Sequence, residues 1–187
     1  MGNLLLSIIK KAHEQKWCTT PYCTTCGARD YRNTLKELAG PLGGGLANAL
    51  AEINPQDLTS IPNWQDALLV AIIDLPISLQ TEGVLKAWLP KTTDNIFFAD
   101  FAVFRIVRYL PKDNKPRNRW IEHCMNIAVS TKNFPLIESL ILLLRQDALN
   151  YPDLIAIAKE YAKTSSQMRR VLYNACNLNV PVNHPKH

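Results

Sequence analysis

The chain has 187 residues, of which 47% are hydrophobic and 20% charged, and a formal net charge of +5. That balance excludes a disordered chain, and a chain this long buries roughly 70% of its unfolded surface without needing disulfides or metal to fold. No apolar run approaches the roughly 18 residues of a membrane span, so no membrane partner is expected.

The opening "MGNLLLSIIKKAH" has a short apolar stretch that its lysines follow instead of precede, the wrong order for a secretory signal. The myristoylation pattern fails as well, because Leu6 stands where Ser or Thr is needed. A cytoplasmic, reducing location is therefore expected, where thiols persist. Five cysteines, an odd number, also fit poorly with a closed disulfide framework.

Charge is uneven along the chain. Residues 1–36 carry six Lys/Arg against two acids, residues 37–100 two against eight, and residues 101–132 seven against two. A basic–acidic–basic layout suits an anionic partner or self-association. Solvated helix faces of opposite sign give the same pattern.

Helical periodicity starts at once, with Leu5, Ile8, Ile9 and Ala12 at i, i+3, i+4 and i+7. A cysteine-rich segment interrupts, and "ARDYRNTLKELAG" resumes as a helix closed by Gly40 and Pro41. "LGGGLANALAEI" is expected to be helical from Leu46; its glycines lack the lysine of a phosphate-binding loop. "TSIPNWQDALLVAIIDLP" offers Ser60 as a cap, an early proline and a long apolar run stopping at Pro76. Leu-Pro then ends further runs at 88–90 and 109–111, since proline cannot continue a helix. The Pro135 and Pro152 positions sit instead near helix starts. "SQMRRVLYNACNL" is a last helix before the polar tail, residues 181–187, expected to be flexible.

No sustained alternation of β-branched residues marks a strand. The expectation is an all-α fold in one domain over residues 1–180, with stacked helical pairs as in a HEAT-like solenoid, or else an irregular helical bundle.

Residues 13–30 of this fold are expected to bind metal. "KWCTTPYCTTCGARDYR" holds Cys18, Cys23 and Cys26 within nine residues. Cys23 and Cys26 form C-x2-C followed by Gly27, a spacing at which two thiolates grip one ion while loop N–H groups point at the sulfurs. Cys18 lies within reach. His13, near the end of the first helix, is the first choice for a fourth ligand, with Cys124, His123 and Cys176 as alternatives. Zinc is the expected metal, and its role would be to staple the flanking helices. The C-x4-C-x2-C spacing also matches the first three ligands of plant-type [2Fe–2S] ferredoxins, whose fold is β-rich and whose fourth cysteine has no counterpart nearby. A thioredoxin-type C-x-x-C needs an α/β setting. Free thiols in a turn are the plain alternative.

A second candidate lies at residues 105–119. Arg105, Arg108, Lys112, Lys115, Arg117 and Arg119 are interleaved with Phe104, Tyr109 and Trp120, a composition that binds phosphates and stacks bases. On the plain reading Phe97, Phe101 and Phe104, at near-helical spacing, are core. Within "PRNRWIEHC", Arg117 and polar Asn118 precede His123, and this resembles the R-x4-6-H motif of HEPN-type ribonucleases, small all-α proteins that cut RNA without metal. The resemblance implies that Arg117 stabilises phosphate charge and His123 assists proton transfer at the 2′-hydroxyl, usually across a dimer. The alternative is a basic helix start in which His123 is a partly buried polar residue.

No nucleophile elbow or zincin motif occurs. The leading expectation is thus a non-catalytic, zinc-stabilised helical module that binds a protein or a nucleic acid, with the metal-independent ribonuclease as the alternative.

Overall fold

A computed structural model describes residues 3–39, 44–73, 79–110 and 115–182, and among them every regular element is helical. The chain divides into two compact units, Met1–Trp88 and Leu89–His187.

The first unit contains α1 (Leu4–Glu14), α2 (Arg29–Ala39), α3 (Gly44–Glu52), α4 (Pro55–Leu58), α5 (Trp64–Ile73) and α6 (Leu79–Trp88). Helix α1 starts where the Asn3 side chain accepts from the Leu6 N–H, while the same side chain donates to the Ala49 carbonyl of α3 at 2.8 Å. Its apolar stripe Leu5, Ile8, Ile9 and Ala12 is buried as its spacing predicts. The stripe packs on α2, α3 and α5. Helix α5 is buried over six consecutive residues, Ala67 to Ile72, so it is apolar all round and sits at the centre of its unit. Tyr31 of α2 is fully buried beside it and donates its phenol to the Ala67 carbonyl at 2.9 Å.

Helix α5 begins at Trp64 and not directly after Ser60, which differs from the expected cap. The single turn of α4 ends with the Ile61 N–H bonded to the Leu58 carbonyl, and Asn63 then takes a left-handed φ of 57° before its carbonyl accepts from Ala67. Asparagine tolerates that region because its short polar side chain bonds locally. Helix α3 likewise starts at Gly44, two residues ahead of Leu46. The expected stops at 40–41 and 74–76 lie outside the described residues.

The second unit opens with a 3-10 turn at Leu89–Lys91, followed by α7 (Ile96–Asp100), a π-helical turn (Phe101–Arg105) and α8 (Ile106–Tyr109). It continues with α9 (Lys115–Thr131), α10 (Phe134–Leu144), a second 3-10 stretch (Arg145–Asn150), α11 (Pro152–Ala162) and α12 (Ser166–Cys176). Helix α10, "FPLIESLILLL", is the hub: α7, the π turn, α9, α11 and α12 all pack on it. The prolines at 135 and 152 fall in the first turns of α10 and α11, where a missing N–H has no consequence.

The helical run that ends at the Leu-Pro of 109–111 is split by the π turn. There the Ile106 N–H reaches back five residues to the Phe101 carbonyl. Phe98 and Phe101 are buried as core and Phe97 is half-buried, but Phe104 lies on the surface with 38% exposure, on the helical face shared with exposed Asp100 and Arg108. The expectation that Phe104 is core is corrected on this ground. The adjacent carbonyl, Ala102, accepts from the indole of fully buried Trp120 at 2.8 Å, which ties α9 to the π turn. Trp120→Phe removes that donor and part of the packing, so it should lower stability by about 2 kcal/mol. Urea unfolding measures this as a fall in midpoint with unchanged slope; an unchanged midpoint would show that the tie carries no stability.

Candidate metal centre

The centre is built on the way α1 ends. Lys16 takes a left-handed φ of 55°, its N–H bonds the His13 carbonyl, and the Trp17 N–H bonds the Ala12 carbonyl. These two bonds form a Schellman stop, although Lys16 fills the place where glycine is usual. The chain is thus turned away from the helix axis immediately before Cys18. Trp17 is held by Lys11, whose ammonium lies 5.5 Å from its ring centre.

The loop turns left-handed three more times, at Tyr22 (φ 57°), Gly27 (φ 60°) and Ala28 (φ 54°). A Cβ built on Gly27 meets nothing within 4 Å, so glycine is needed there for its φ and not for space. Ala28 accepts the strain because its methyl is buried at the start of α2. The Gly27 N–H bonds the Cys23 carbonyl and the Arg29 N–H bonds the Cys26 carbonyl, which wraps the backbone around both cysteines.

Within this wrapping the sulfur atoms of Cys18, Cys23 and Cys26 all lie within 4.8 Å of one another, and Cys23 Sγ is 3.5 Å from Cys26 Sγ. Four sulfurs tetrahedrally arranged around one ion at about 2.3 Å stand about 3.8 Å apart, so the trio matches the ligand shell of a single metal. Cys18 and Cys23 are half-buried and Cys26 is exposed.

The backbone favours thiolate unequally. The N–H groups of Cys26 and Thr25, with smaller contributions from the thiols of Cys26 and Cys18, push the Cys23 thiol down to about 6. Cys26 receives the Ala28 N–H, but hydrogen bonding from Cys18 and Cys23, desolvation and the Cys18 charge outweigh it, and its thiol is held above the ordinary range. The Cys23 thiolate is therefore favoured near neutrality, whereas Cys26 is held as the thiol. The C-x2-C-Gly spacing signals this wrapping; the specific donors Thr25 and Ala28 carry no mark of their own in the sequence.

Among the described residues no fourth His, Cys, Asp or Glu joins the trio. His13 is exposed on the last turn of α1 and lines a cavity of about 460 Å3 together with Trp17, Thr19, Ile61, Pro62 and others. Cys124 and Cys176 are buried in the second unit, where the Cys176 thiol donates to the Arg145 carbonyl at 3.3 Å.

The basic residues of 105–119 are also placed. Arg105 and Arg108 are exposed on the π turn and α8; Lys115 and Arg119 are exposed and Arg117 half-buried on α9; Lys112 lies outside the described residues. Ile96, Phe104 and Tyr109 are exposed on the same helical run as Arg105 and Arg108. Arg117 and His123 share α9, but six residues place them about 120° apart around the helix and about 9 Å along it. His123 is half-buried with its ring 5.9 Å from that of Trp120.

No protein-family model matches this chain, no curated protein matches it, and no solved structure matches its fold.

In metal-free, reduced protein at pH 7, iodoacetamide should modify Cys23 ahead of Cys26. The pH profile of Cys23 alkylation, read by peptide mass mapping, should have its midpoint near 6, because only the thiolate reacts. A midpoint at the ordinary value of about 8.5 would mean that the N–H donors do not reach the sulfur.

Proposed function

We propose that this chain is a zinc-stabilised helical binding module, in which one ion held by Cys18, Cys23 and Cys26 fixes the loop joining α1 to α2. The observation that supports it is the mutual approach of three sulfurs to within 4.8 Å, on a loop whose N–H groups face them. Spacing for one ion favours a mononuclear centre over a [2Fe–2S] cluster, which divides its cysteines between two irons. Zinc suits thiolates, needs no redox partner and is the common ion of loops of this kind. Bound there, it neutralises thiolates that would otherwise repel one another.

A structural zinc contributes to folding, because the assembled site does not exist in the unfolded chain. Untagged protein should carry one zinc per chain by elemental analysis. Chelation should lower the melting temperature, and Cys26→Ser should reduce both metal content and the response to chelator. Metal-free protein that melts at the same temperature as the purified form would remove the stapling role.

The partner reading rests on the second unit. Phe104 and Tyr109, which flank Arg105 and Arg108 in the chain, and Ile96 earlier on the same helical run expose apolar and aromatic surface that suits either a protein or a single-stranded nucleic acid. If it binds nucleic acid, affinity for single-stranded RNA should fall steeply between 50 and 200 mM salt, and Arg105→Ala with Arg108→Ala should weaken it about tenfold or more. Indifference to RNA at low salt leaves a protein partner. RNA cleavage lost in His123→Ala would select the ribonuclease reading instead.

A further inference from the structure

The cysteine trio is a three-donor shell for an ion that takes four donors. Structural zinc sites close the shell with a fourth protein ligand; a site with three protein ligands leaves one position for an outside molecule. Here the backbone N–H groups of Cys26 and Thr25 face the Cys23 sulfur and that of Ala28 faces the Cys26 sulfur, while Cys26 is exposed to solvent. No further His, Cys, Asp or Glu among the described residues completes the group; His13, exposed on the last turn of α1, is not in it.

Charge indicates which outside donor suits the position. A divalent ion with three thiolates carries one net negative charge. Residues 10–32 supply Lys10, Lys11, Lys16, Arg29 and Arg32 against Glu14 and Asp30, an excess of three positive charges (five less two). The loop region with its metal is then still positive overall, which accommodates an anionic fourth ligand. A centre already held by three soft sulfurs prefers a fourth of the same kind.

Building on the metal reading above, we propose that the centre is coordinatively open and that its fourth position takes an exogenous thiolate, from a low-molecular-weight thiol or from a cysteine of a second copy of this chain. Binding exchanges a water for the sulfur; the S–H bond breaks, the sulfur keeps the electron pair for the metal and the proton goes to solvent. No electron is transferred. Coordination holds the incoming sulfur as thiolate at neutral pH, the form in which sulfur is a nucleophile.

Cobalt(II), which occupies zinc sites and is coloured, tests this on the full-length chain. With one cobalt per chain and no added thiol, the sulfur-to-cobalt charge-transfer band should have the intensity of three thiolates. Titration with 2-mercaptoethanol should raise it saturably by about one third, as four thiolates replace three, with a shift of the ligand-field bands and no loss of cobalt. Sedimentation should show a monomer throughout. Should the thiolate come from a second copy, the four-thiolate band is present before any thiol is added, scales with protein concentration and accompanies a dimer; this also supports the open position. A spectrum that 2-mercaptoethanol leaves unchanged in a monomer overturns the proposal while keeping the metal site, and a change on His13→Ala would then name the internal ligand. Failure to bind cobalt at all overturns the metal reading itself, and with it this inference.

Discussion

Three sulfurs within 4.8 Å of one another are under an electrostatic constraint that organises the first unit. As neutral thiols they gain little from the arrangement. As thiolates they would repel; the N–H groups of Cys26 and Thr25 push the Cys23 thiol down to about 6, while hydrogen bonding from Cys18 and Cys23, desolvation and the Cys18 charge hold Cys26 above its ordinary range despite the Ala28 N–H. In the proposed reading a divalent cation would resolve the conflict and would fix the loop between α1 and α2, which has four left-handed residues between Lys16 and Ala28. Those two helices carry Leu5, Ile9, Tyr31 and Leu35 into the core around α5, so the loop sets how two sides of that core enter it.

The second unit rests on a different device. Its hub, α10, offers Leu136, Ile137, Leu140 and Ile141 to neighbours on several sides. The π turn of 101–105 adds a local irregularity, and fully buried Trp120 stabilises it by donating to the Ala102 carbonyl. Within the π turn Phe101, Ala102 and Val103 are buried while Phe104 and Arg105 are exposed. A π turn inside a helix is rare and often sits at functional sites.

Much of the framework was legible in the sequence because its signals are local. Proline at 135 and 152 marks helix starts, the i, i+3, i+4 stripe of α1 marks a buried face, and C-x2-C-Gly marks a wrapped pair of thiols. What escaped depends on geometry that residue type does not encode. Asn63 displaced the start of α5 from Ser60, because the single turn of α4 needed a left-handed residue to reverse the chain. The π turn escaped because "FFADFAVFRIV" is apolar enough to suit either register, and its choice follows from what Trp120 and α10 require. His13, suggested as a fourth ligand by sequence proximity, is exposed on the last turn of α1 and is not among the three grouped residues.

The most direct test of the central claim is X-ray absorption at the zinc edge on full-length protein. One ion in the cysteine loop predicts three sulfur neighbours at about 2.3 Å, with either one lighter donor at about 2.0–2.1 Å or, when an outside thiolate is bound, a fourth sulfur, and no metal–metal scattering. A shell of nitrogen and oxygen alone, or scattering from a second metal, would contradict a mononuclear centre at Cys18, Cys23 and Cys26.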